Sequence, residues 1–168
     1  MNICFLRHGD AGERDESRYP DDSQRPLVPE GRRKMRRIAA GLRALDLEFD
    51  VLLTSPYVRA RQTAEIAAKA LRAERKWQVT ELLAPEGSAR KLVRLLADRY
   101  PADGNILLVG HEPYLGDLIG VLLAGRAKLS LGLKKGGLCW LSAESLAYGP
   151  CARLEGWLAP RQLMRLSR

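Results

Sequence analysis

The chain has too few cysteines and histidines for several common kinds of site. Its 168 residues include three cysteines and two histidines, and no two cysteines form a CxxC pair. An odd number of scattered cysteines argues against a disulfide framework and a thiolate metal site, so we expect Cys4, Cys139 and Cys151 to be buried as small apolar side chains. Two histidines without an HExxH spacing are too few ligands for zinc. The sequence therefore predicts neither a metal nor a cofactor.

Long hydrophobic runs are also lacking. The opening run MNICFL is followed at once by Arg-His and has no basic segment before it, so it is too short for the apolar region of a signal peptide. The apolar stretch 114–124 contains glycine and aspartate and is shorter than a bilayer requires. We therefore expect a cytoplasmic protein without a membrane partner.

Two familiar catalytic signatures are missing as well. The chain has no G-x-S-x-G elbow, and Ser55, the one serine at the end of a predicted strand, is interpreted as a helix cap. It also has no GxxxxGK[ST] phosphate loop. These absences exclude a serine hydrolase with a nucleophile elbow and a P-loop NTPase.

Positive charge, in contrast, is abundant and unevenly distributed. The formal net charge of +8 divides into −3 for residues 1–31, +7 for residues 32–76 and +4 for residues 81–168. Such a field attracts anionic partners of any kind, including nucleic acids, acidic proteins and phosphate esters. The charge by itself does not choose among them.

The basic run at residues 32–37 has a structural explanation. Met35, Ile38 and Leu42 recur at helical spacing, which leaves the basic side chains on the opposite, solvated side of a helix. We therefore do not expect nucleic acid as the partner, although the sequence assigns this run no role. The later segment 134–137, KKGG, lies in a loop for which two positions are open, facing the site or forming a solvated turn, and the turn is the simpler interpretation.

Hydrophobic periodicity predicts alternating strands and helices in a single domain of residues 1–168. Buried strands are expected at 2–6, 50–54 and 105–109 and a short strand at 77–80, with helices at 29–45, from Ser55 to about 71, at 88–100 and at 114–123. The tail is expected to hold strand-like segments at 129–133, 137–142 and 151–154 and a last helical turn at 160–165. This order predicts an α/β fold, a three-layer α/β/α sandwich with a mostly parallel central sheet and antiparallel additions.

Both histidines directly follow a predicted buried strand. His8 lies beside Gly9 at the end of the first strand, His111 lies beside Gly110 at the end of the fourth, and Arg59 follows the second. An isolated histidine is more often a partly buried polar residue than a catalyst. However, ligands of open α/β sheets bind at the carboxyl ends of the strands, where this topology can bring both histidines together.

Histidine and arginine together indicate phosphoryl chemistry. The forked guanidinium groups of Arg7 and Arg59 match phosphate oxygens and stay charged, whereas we expect Arg61 to be a surface residue. A neutral imidazole can attack phosphorus and divide hydrolysis into two transfers. Such a reaction depends on positioning and on surrounding cations, so it needs no metal.

Three segments resemble the motifs of the histidine phosphatase superfamily, first described around phosphoglycerate mutase: RHG at 7–9, SPYVRARQTA at 55–64 and GHEP at 110–113. The short chain, RHGDA after the first strand and RPL at 25–27 are similar to the SixA-type phosphohistidine phosphatases. The resemblance extends over residues 1–125 and implies a phosphoglycerate mutase-like fold.

The resemblance also implies roles for individual residues. His8 would accept the phosphoryl group, and Arg7, Gly9, Arg59 and His111 would bind it, with a protonated His111 sharing the stabilisation of the oxyanion. The general acid stays open. Glu81, Glu86 and Glu112 are candidates, yet each is equally well explained as surface charge or as a complement to a helix N-terminus.

The functional prediction is a metal-independent phosphatase that hydrolyses phosphohistidine on a protein through a phosphohistidine enzyme intermediate. Only 47 residues separate Thr63 from His111, which leaves little room for a helical lid over a small substrate. The alternatives are a phosphomonoesterase for small molecules that uses the same histidine, and a non-catalytic module that binds phosphate or nucleic acid. The sequence defines neither the physiological substrate nor the oligomeric state.

Overall fold

The computed structural model describes residues 1–129 and 131–167. The helices are α1 (Pro29–Arg43), α2 (Val58–Ala70), α3 (Ala89–Arg99), α4 (Tyr114–Ala124) and α5 (Pro160–Leu166). The strands are β1 (Asn2–Arg7), β2 (Val51–Thr54), β3 (Trp77–Val79), β4 (Asn105–Gly110), β5 (Leu138–Ser142) and β6 (Arg153–Leu158). Short 3₁₀ turns occur at Asp22–Gln24 and Glu81–Leu83.

The described strands form one mixed sheet in the order β3-β2-β4-β1-β5-β6. Neighbouring pairs among β1 to β4 are parallel, whereas β5 pairs antiparallel with β1 and β6 pairs antiparallel with β5. The predicted α/β fold with a mostly parallel sheet is confirmed. In the β1–β4 pair, Arg7 lies opposite Gly110, so the residues that follow these two strands emerge side by side.

Alternating side chains of the strands build an apolar core on each face of the sheet. In β1, Ile3 and Phe5 join the core beneath α3 and α4, whereas Cys4 and Leu6 join the core beneath α1, α2 and α5. The periodic apolar residues of α1 are buried in that second core, and α1 contacts both α2 and α5. The layer on this face is therefore ordered α2, α1, α5.

Ser55 is not the cap of α2, contrary to the sequence prediction. The helix begins at Val58 after Tyr57, and its N-cap has no side-chain hydrogen bond. The Ser55 hydroxyl is instead engaged with His111, as described below. A serine directly after a strand resembles a helix cap in sequence, because both positions precede a helix by only a few residues.

Two predictions for the tail need correction. The described residues of segment 129–133 form a loop, with Ser130 outside the described part, and this loop makes its polar contacts with side chains. The last strand runs over Arg153–Leu158 rather than 151–154. Edge strands with mixed polarity carry little periodic signal, which explains the shift.

The cysteines agree only partly with the prediction. Cys4 and Cys139 are buried, and burial raises the pKa of each thiol to about 12. Cys151 is only half-buried, and its Sγ donates to the carbonyl oxygen of Ala147 at 3.1 Å.

Over the described residues, no helix is long and apolar enough to cross a bilayer.

Candidate active site

The two histidines lie together at the carboxyl edge of the sheet. His8 follows β1 and His111 follows β4, and these strands are hydrogen-bonded neighbours. The backbone amide of His8 donates to the carbonyl oxygen of Gly110 at 3.0 Å. The imidazole centroids are 5.0 Å apart, so adjacent parallel strands bring together residues that are far apart in the sequence.

His8 is held with one ring nitrogen available for chemistry. Its Nδ1 lies 2.7 Å from the carbonyl oxygen of Gly9, and because a carbonyl only accepts, Nδ1 carries the proton and Nε2 carries the lone pair. Burial, with Arg59 and Arg7 nearby, lowers the pKa of His8 to about 3. The ring is therefore neutral at pH 7, as a nucleophile must be.

Gly9 contributes through its backbone and its lack of a side chain. Its carbonyl orients His8, and its amide donates to Oγ1 of Thr63 at 3.0 Å. A Cβ atom at this position would lie 2.5 Å from Cγ of Met35. This close packing against α1 explains why glycine is required beside the histidine.

His111 is oriented by Ser55. Nε2 of His111 lies 2.8 Å from Oγ of Ser55, and the same Oγ accepts the amide of Tyr57 at 3.3 Å. The serine hydrogen is available to bind Nε2, and we infer that it does, so that the imidazole proton of His111 lies on Nδ1. The sequence-based prediction missed this role. The one signal for it was a serine directly after a buried strand.

In the protein alone His111 is neutral, whereas the resemblance implied a protonated ring. Burial, followed by the proximity of His8 and Arg59, lowers its pKa to about 3, which keeps the ring neutral at pH 7. A phosphoryl group between the two rings would bring negative charge and raise this pKa. Protonation of His111 therefore requires a bound anion.

The arginines approach from two different elements. Arg7 ends β1, and its Nη1 donates to the carbonyl oxygen of Leu133 at 2.9 Å. Arg59 belongs to the first turn of α2, and its Nη1 and Nη2 donate to the carbonyl and carboxylate oxygens of Asp22 at 2.7 and 2.9 Å. Arg61, as predicted, is exposed at the surface.

Three buried nitrogens at this edge lack a hydrogen-bond partner within the described protein. They are Nε of Arg7, Nε of Arg59 and Nδ1 of His111. A buried donor left unpaired costs about 1 to 3 kcal/mol, so three such donors from three segments are costly for the protein alone. An anion that accepts from all three would remove that cost, and this arrangement is suited to a phosphoryl group.

Asp22 was not anticipated from the sequence. It lies in the 3₁₀ turn before α1 and binds both Arg59 and Nε of Arg25, the latter at 2.8 Å. Burial alone would raise the pKa of Asp22, but the two arginines outweigh it and lower the pKa. Arg25 also donates to the carbonyl oxygens of Ala11 and Gly12, which fixes the loop after His8.

Tyr57 forms an aromatic wall beside the site. Its ring meets the His111 ring edge-on at a centroid distance of 5.0 Å, and the guanidinium carbon of Arg59 lies 4.9 Å from the Tyr57 centroid. The hydroxyl donates to a carboxylate oxygen of Glu86 at 3.2 Å. Tyr57 thus links one candidate acid, Glu86, to His111.

The other candidate acids are placed less directly. Glu112 is half-buried, and its carboxylate accepts from the amide of Leu133 at 3.2 Å. Burial raises the pKa of Glu112, although its backbone partners and Arg7 oppose this. Glu81 is exposed in the second 3₁₀ turn.

The KKGG segment forms a turn with exposed lysines, as expected, and it also faces the site, which was the alternative that the sequence left open. The amide of Gly136 contacts the carbonyl oxygens of Arg7 and His8 at 3.0 and 3.2 Å. This turn brings Nζ of Lys135 to 2.6 Å from a carboxylate oxygen of Asp10.

In the part of the chain that the structure describes, no cluster of three or more histidine, cysteine or acidic side chains suited to a metal occurs.

The sequence and the fold are similar to those of known proteins. A model of the histidine phosphatase superfamily (branch 1) matches residues 3–84. The phosphohistidine phosphatase SixA of Escherichia coli is 32% identical over 127 residues, which are 74% of this chain and 76% of the relative. An uncharacterised protein of Picosynechococcus sp. is 40% identical over 143 residues, 84% of each chain. A solved structure of the protein histidine phosphatase SixA complexed with tungstate superposes with a TM-score of 0.81 at 24% identity, covering 97% of this chain and 99% of that chain.

Proposed function

This chain belongs to the histidine phosphatase superfamily and is a phosphatase, and we propose that its substrate is a phosphohistidine side chain of another protein. The observation that carries the proposal is the pairing of a free His8 Nε2 with three unpartnered donors, on Arg7, Arg59 and His111. A nucleophile with a lone pair and a set of donors for the phosphoryl oxygens are the two parts that phosphoryl transfer requires.

In the first step, Nε2 of His8 attacks the phosphorus of the substrate. A bond forms between Nε2 and phosphorus while the bond between phosphorus and the substrate imidazole breaks. The electron pair stays on the leaving imidazole, which takes a proton from solvent. Arg7, Arg59 and His111 donate to the phosphoryl oxygens as their charge develops.

In the second step, a water oxygen attacks the phosphorus held by His8. The bond between Nε2 and phosphorus breaks, inorganic phosphate leaves, and the proton lost by the water passes to solvent. Nε2 regains its lone pair, and the hydrogen bond from Nδ1 to Gly9 keeps the ring in the same orientation throughout. Both steps thus use one nucleophile and one set of donors.

A phosphohistidine substrate agrees with the position of the glutamates. Imidazole is a better leaving group than an alkoxide, so its departure needs less help from a general acid. None of the candidate glutamates is hydrogen-bonded to either histidine among the described contacts. The segment between Thr63 and His111 forms the end of α2, β3, a 3₁₀ turn, α3 and β4, so its described residues include no additional helix that could close over a small ligand.

The named relatives support the same substrate. The Escherichia coli protein at 32% identity is a phosphohistidine phosphatase, and the structural relative is a protein histidine phosphatase whose complex contains tungstate. Tungstate is a tetrahedral oxyanion like phosphate. We further infer that this protein acts in the cytoplasm, in signalling that uses phosphohistidine.

Acid-quench and base-quench trapping of the phosphoenzyme tests the proposal. The wild type, incubated with a phosphohistidine protein, is expected to carry label that is lost in warm acid and stable in base, as a phosphoramidate is. His8→Ala is expected to carry none, while Lys91→Ala, an exposed position on α3, should behave as the wild type. Absence of label and of released phosphate in the wild type would refute the proposal.

A second candidate, a phosphatase for small phosphate esters, is favoured by the contact between Tyr57 and Glu86. An ester leaves as an alkoxide and needs an acid, and Glu86 is the candidate linked to the site through a side chain. This alternative predicts that Glu86→Gln lowers turnover of a phosphomonoester strongly. The phosphohistidine proposal predicts faster turnover of a phosphohistidine protein and little effect of Glu86→Gln on it.

A further inference from the structure

The net charge of this protein is concentrated on one of its two helical layers. The basic face, as we name it, is the outer surface of α1, α2 and α5. On it, α1 contributes Arg32, Arg33, Lys34, Arg36, Arg37 and Arg43. Arg61 and Lys69 of α2 and Arg161 and Arg165 of α5 join them.

The basic face alone accounts for the charge of the whole chain. Apart from the active-site residue Arg59, these helices carry ten lysines and arginines against Glu30 and Glu65, a net charge of +8 that equals that of the chain. The opposite layer, α3 and α4, has a net charge of only +2. The asymmetry is a property of the folded molecule, because the three helices lie apart in the sequence.

These cations are largely unneutralised within the protein. Among the described residues, Arg33 with Glu30 is the one ion pair on the basic face. Like charges on adjacent helices repel one another and lower the stability of the folded state. A bound anionic surface would relieve that repulsion.

The basic face begins at the rim of the active site. The amide of Val28, which precedes α1, donates to the carbonyl oxygen of Asp10 at 3.1 Å. Lys34 of α1 and Lys135 line a small cavity of about 80 Å³ with Gly9 and Asp10, directly after His8. A partner whose phosphoryl group reaches His8 would therefore have its neighbouring surface over α1.

A groove between α1 and α2 indicates that the partner is a protein. A cavity of about 320 Å³ has Ala39, Ile66 and Ala70 in its lining, with three cations and one carboxylate around them: Arg32, Arg36, Lys69 and Glu65. Apolar groups between cations fit an apolar side chain flanked by carboxylates, whereas a phosphate backbone gains nothing from them. The helices α1, α2 and α5 also contain no aromatic residue on which bases could stack.

From the proposed function and this charge distribution, we propose that the basic face docks an acidic surface of the phosphohistidine-bearing protein. The proposal rests on the proposed function for the identity of the phosphoryl group. Complementary charge raises the rate of encounter, and it orients the partner with its phosphohistidine toward His8. A small substrate does not extend over the outer surface of these helices, so it gains less from the basic face than a protein does.

The test compares kcat/KM for three probes: a phosphohistidine-bearing phosphotransfer domain of net negative charge, a phosphohistidine protein of net positive charge, and phosphoramidate. The variant Arg36→Glu/Arg37→Glu reverses two exposed charges of the basic face. The matched control, Lys91→Glu/Arg99→Glu, makes the same charge change on α3 of the opposite layer. We expect the first variant to lose about tenfold or more on the acidic domain at low ionic strength, with phosphoramidate turnover unchanged.

Salt provides a second readout on the unaltered protein. Turnover of the acidic domain by the wild type is expected to fall steeply as ionic strength rises, because salt screens exposed charges. Turnover of phosphoramidate should stay nearly constant. Arg161→Glu/Arg165→Glu on α5 is expected to weaken the salt dependence, as the α1 variant does.

Equal losses for the α1 and α3 variants on the acidic domain would overturn the docking proposal. Duplex DNA bound more tightly than the acidic domain, with that binding lost in Arg36→Glu/Arg37→Glu, would overturn it too, in favour of nucleic acid. If the wild type releases no phosphate from either phosphohistidine probe, the proposed function fails. Docking is then still judged by the affinity for the unphosphorylated acidic domain, measured in the same variants.

Discussion

Asp22 holds Arg59 by two of its three nitrogens and leaves the third free. Nη1 of Arg59 is 2.7 Å from the Asp22 carbonyl oxygen and Nη2 is 2.9 Å from its carboxylate, whereas Nε has no partner in the described protein. The carboxylate thereby orients the guanidinium group with one donor directed elsewhere. Because Arg25 binds the same carboxylate, the loop before α1 and the first turn of α2 are fixed to each other.

Loss of the Asp22 carboxylate should therefore impair catalysis through Arg59. We expect Asp22→Ala to lower kcat/KM by about 10 to 100-fold, since a displaced donor no longer meets the phosphoryl oxygens. Asp22→Asn retains an oxygen for Nη2 and should lose less. Steady-state kinetics measure both, with Asp21→Asn, its exposed neighbour, as the control. An Asp22→Ala enzyme as active as the wild type would contradict this role.

Removal of the Ser55 hydroxyl should change the protonation of the His111 ring. In Ser55→Ala, Nε2 of His111 loses its partner at 2.8 Å, and the proton is no longer confined to Nδ1. We expect kcat to fall about tenfold or more, whereas Ser55→Thr, which keeps a hydroxyl, should restore most of it. Nitrogen NMR of the imidazole reports the tautomer directly. An unchanged tautomer in Ser55→Ala would show that another group sets it.

The buried histidines should make stability depend on pH. Burial lowers the pKa of His8 and His111 to about 3, below the usual 6.5, so the unfolded chain binds more protons between these values. Stability should be greatest above pH 6.5 and fall as pH decreases, by up to about 1.4 kcal/mol per pH unit for each histidine.

Denaturant unfolding between pH 5 and pH 7 measures this dependence, in a range where most carboxylates remain ionised. His111→Gln should reduce the slope by removing one of the two groups. A slope that is the same in His111→Gln and the wild type would show that other groups are responsible.

Binding of an oxyanion should be accompanied by proton uptake. An anion that accepts from Nδ1 of His111 favours the charged ring and raises its pKa, so tungstate or phosphate should bind more tightly as pH falls toward 6. Calorimetry in buffers of different ionisation enthalpy counts the protons. The uptake should be smaller in His111→Gln, and binding without uptake in the wild type would mean that His111 stays neutral.

Gly136 should tolerate substitution poorly. Its φ of +75° disfavours any side chain, and a Cβ atom would lie 2.6 Å from Cδ1 of Ile38. We expect Gly136→Ala to destabilise the protein by about 1 to 3 kcal/mol and to lower activity, because this turn supports the carbonyls of Arg7 and His8. Thermal unfolding measures the change. Gly149→Ala is the control, since a Cβ atom there meets nothing within 4 Å.

The sequence by itself determined the layered fold, and it named the candidate site residues that the structure brings together. Helical and strand periods reflect which side chains are buried, and burial is a local pattern that a single sequence displays. The position of His8 and His111 directly after buried strands, each beside a glycine, was equally readable, because ligands of such sheets bind at the ends of strands. The predicted position of the edge strand β6 was wrong, because its residues are only partly buried and carry a weak pattern.

Only the tertiary structure decided which residues serve these histidines. Ser55 was interpreted as a cap and Lys135 as part of a solvated turn, and Asp22 was not identified, because their partners are remote in the sequence. The same holds for the basic face, whose three helices become neighbours only when α1 packs between α2 and α5. Hydrogen bonds and summed charge depend on distances between atoms, and a chain fixes those distances only once it has folded.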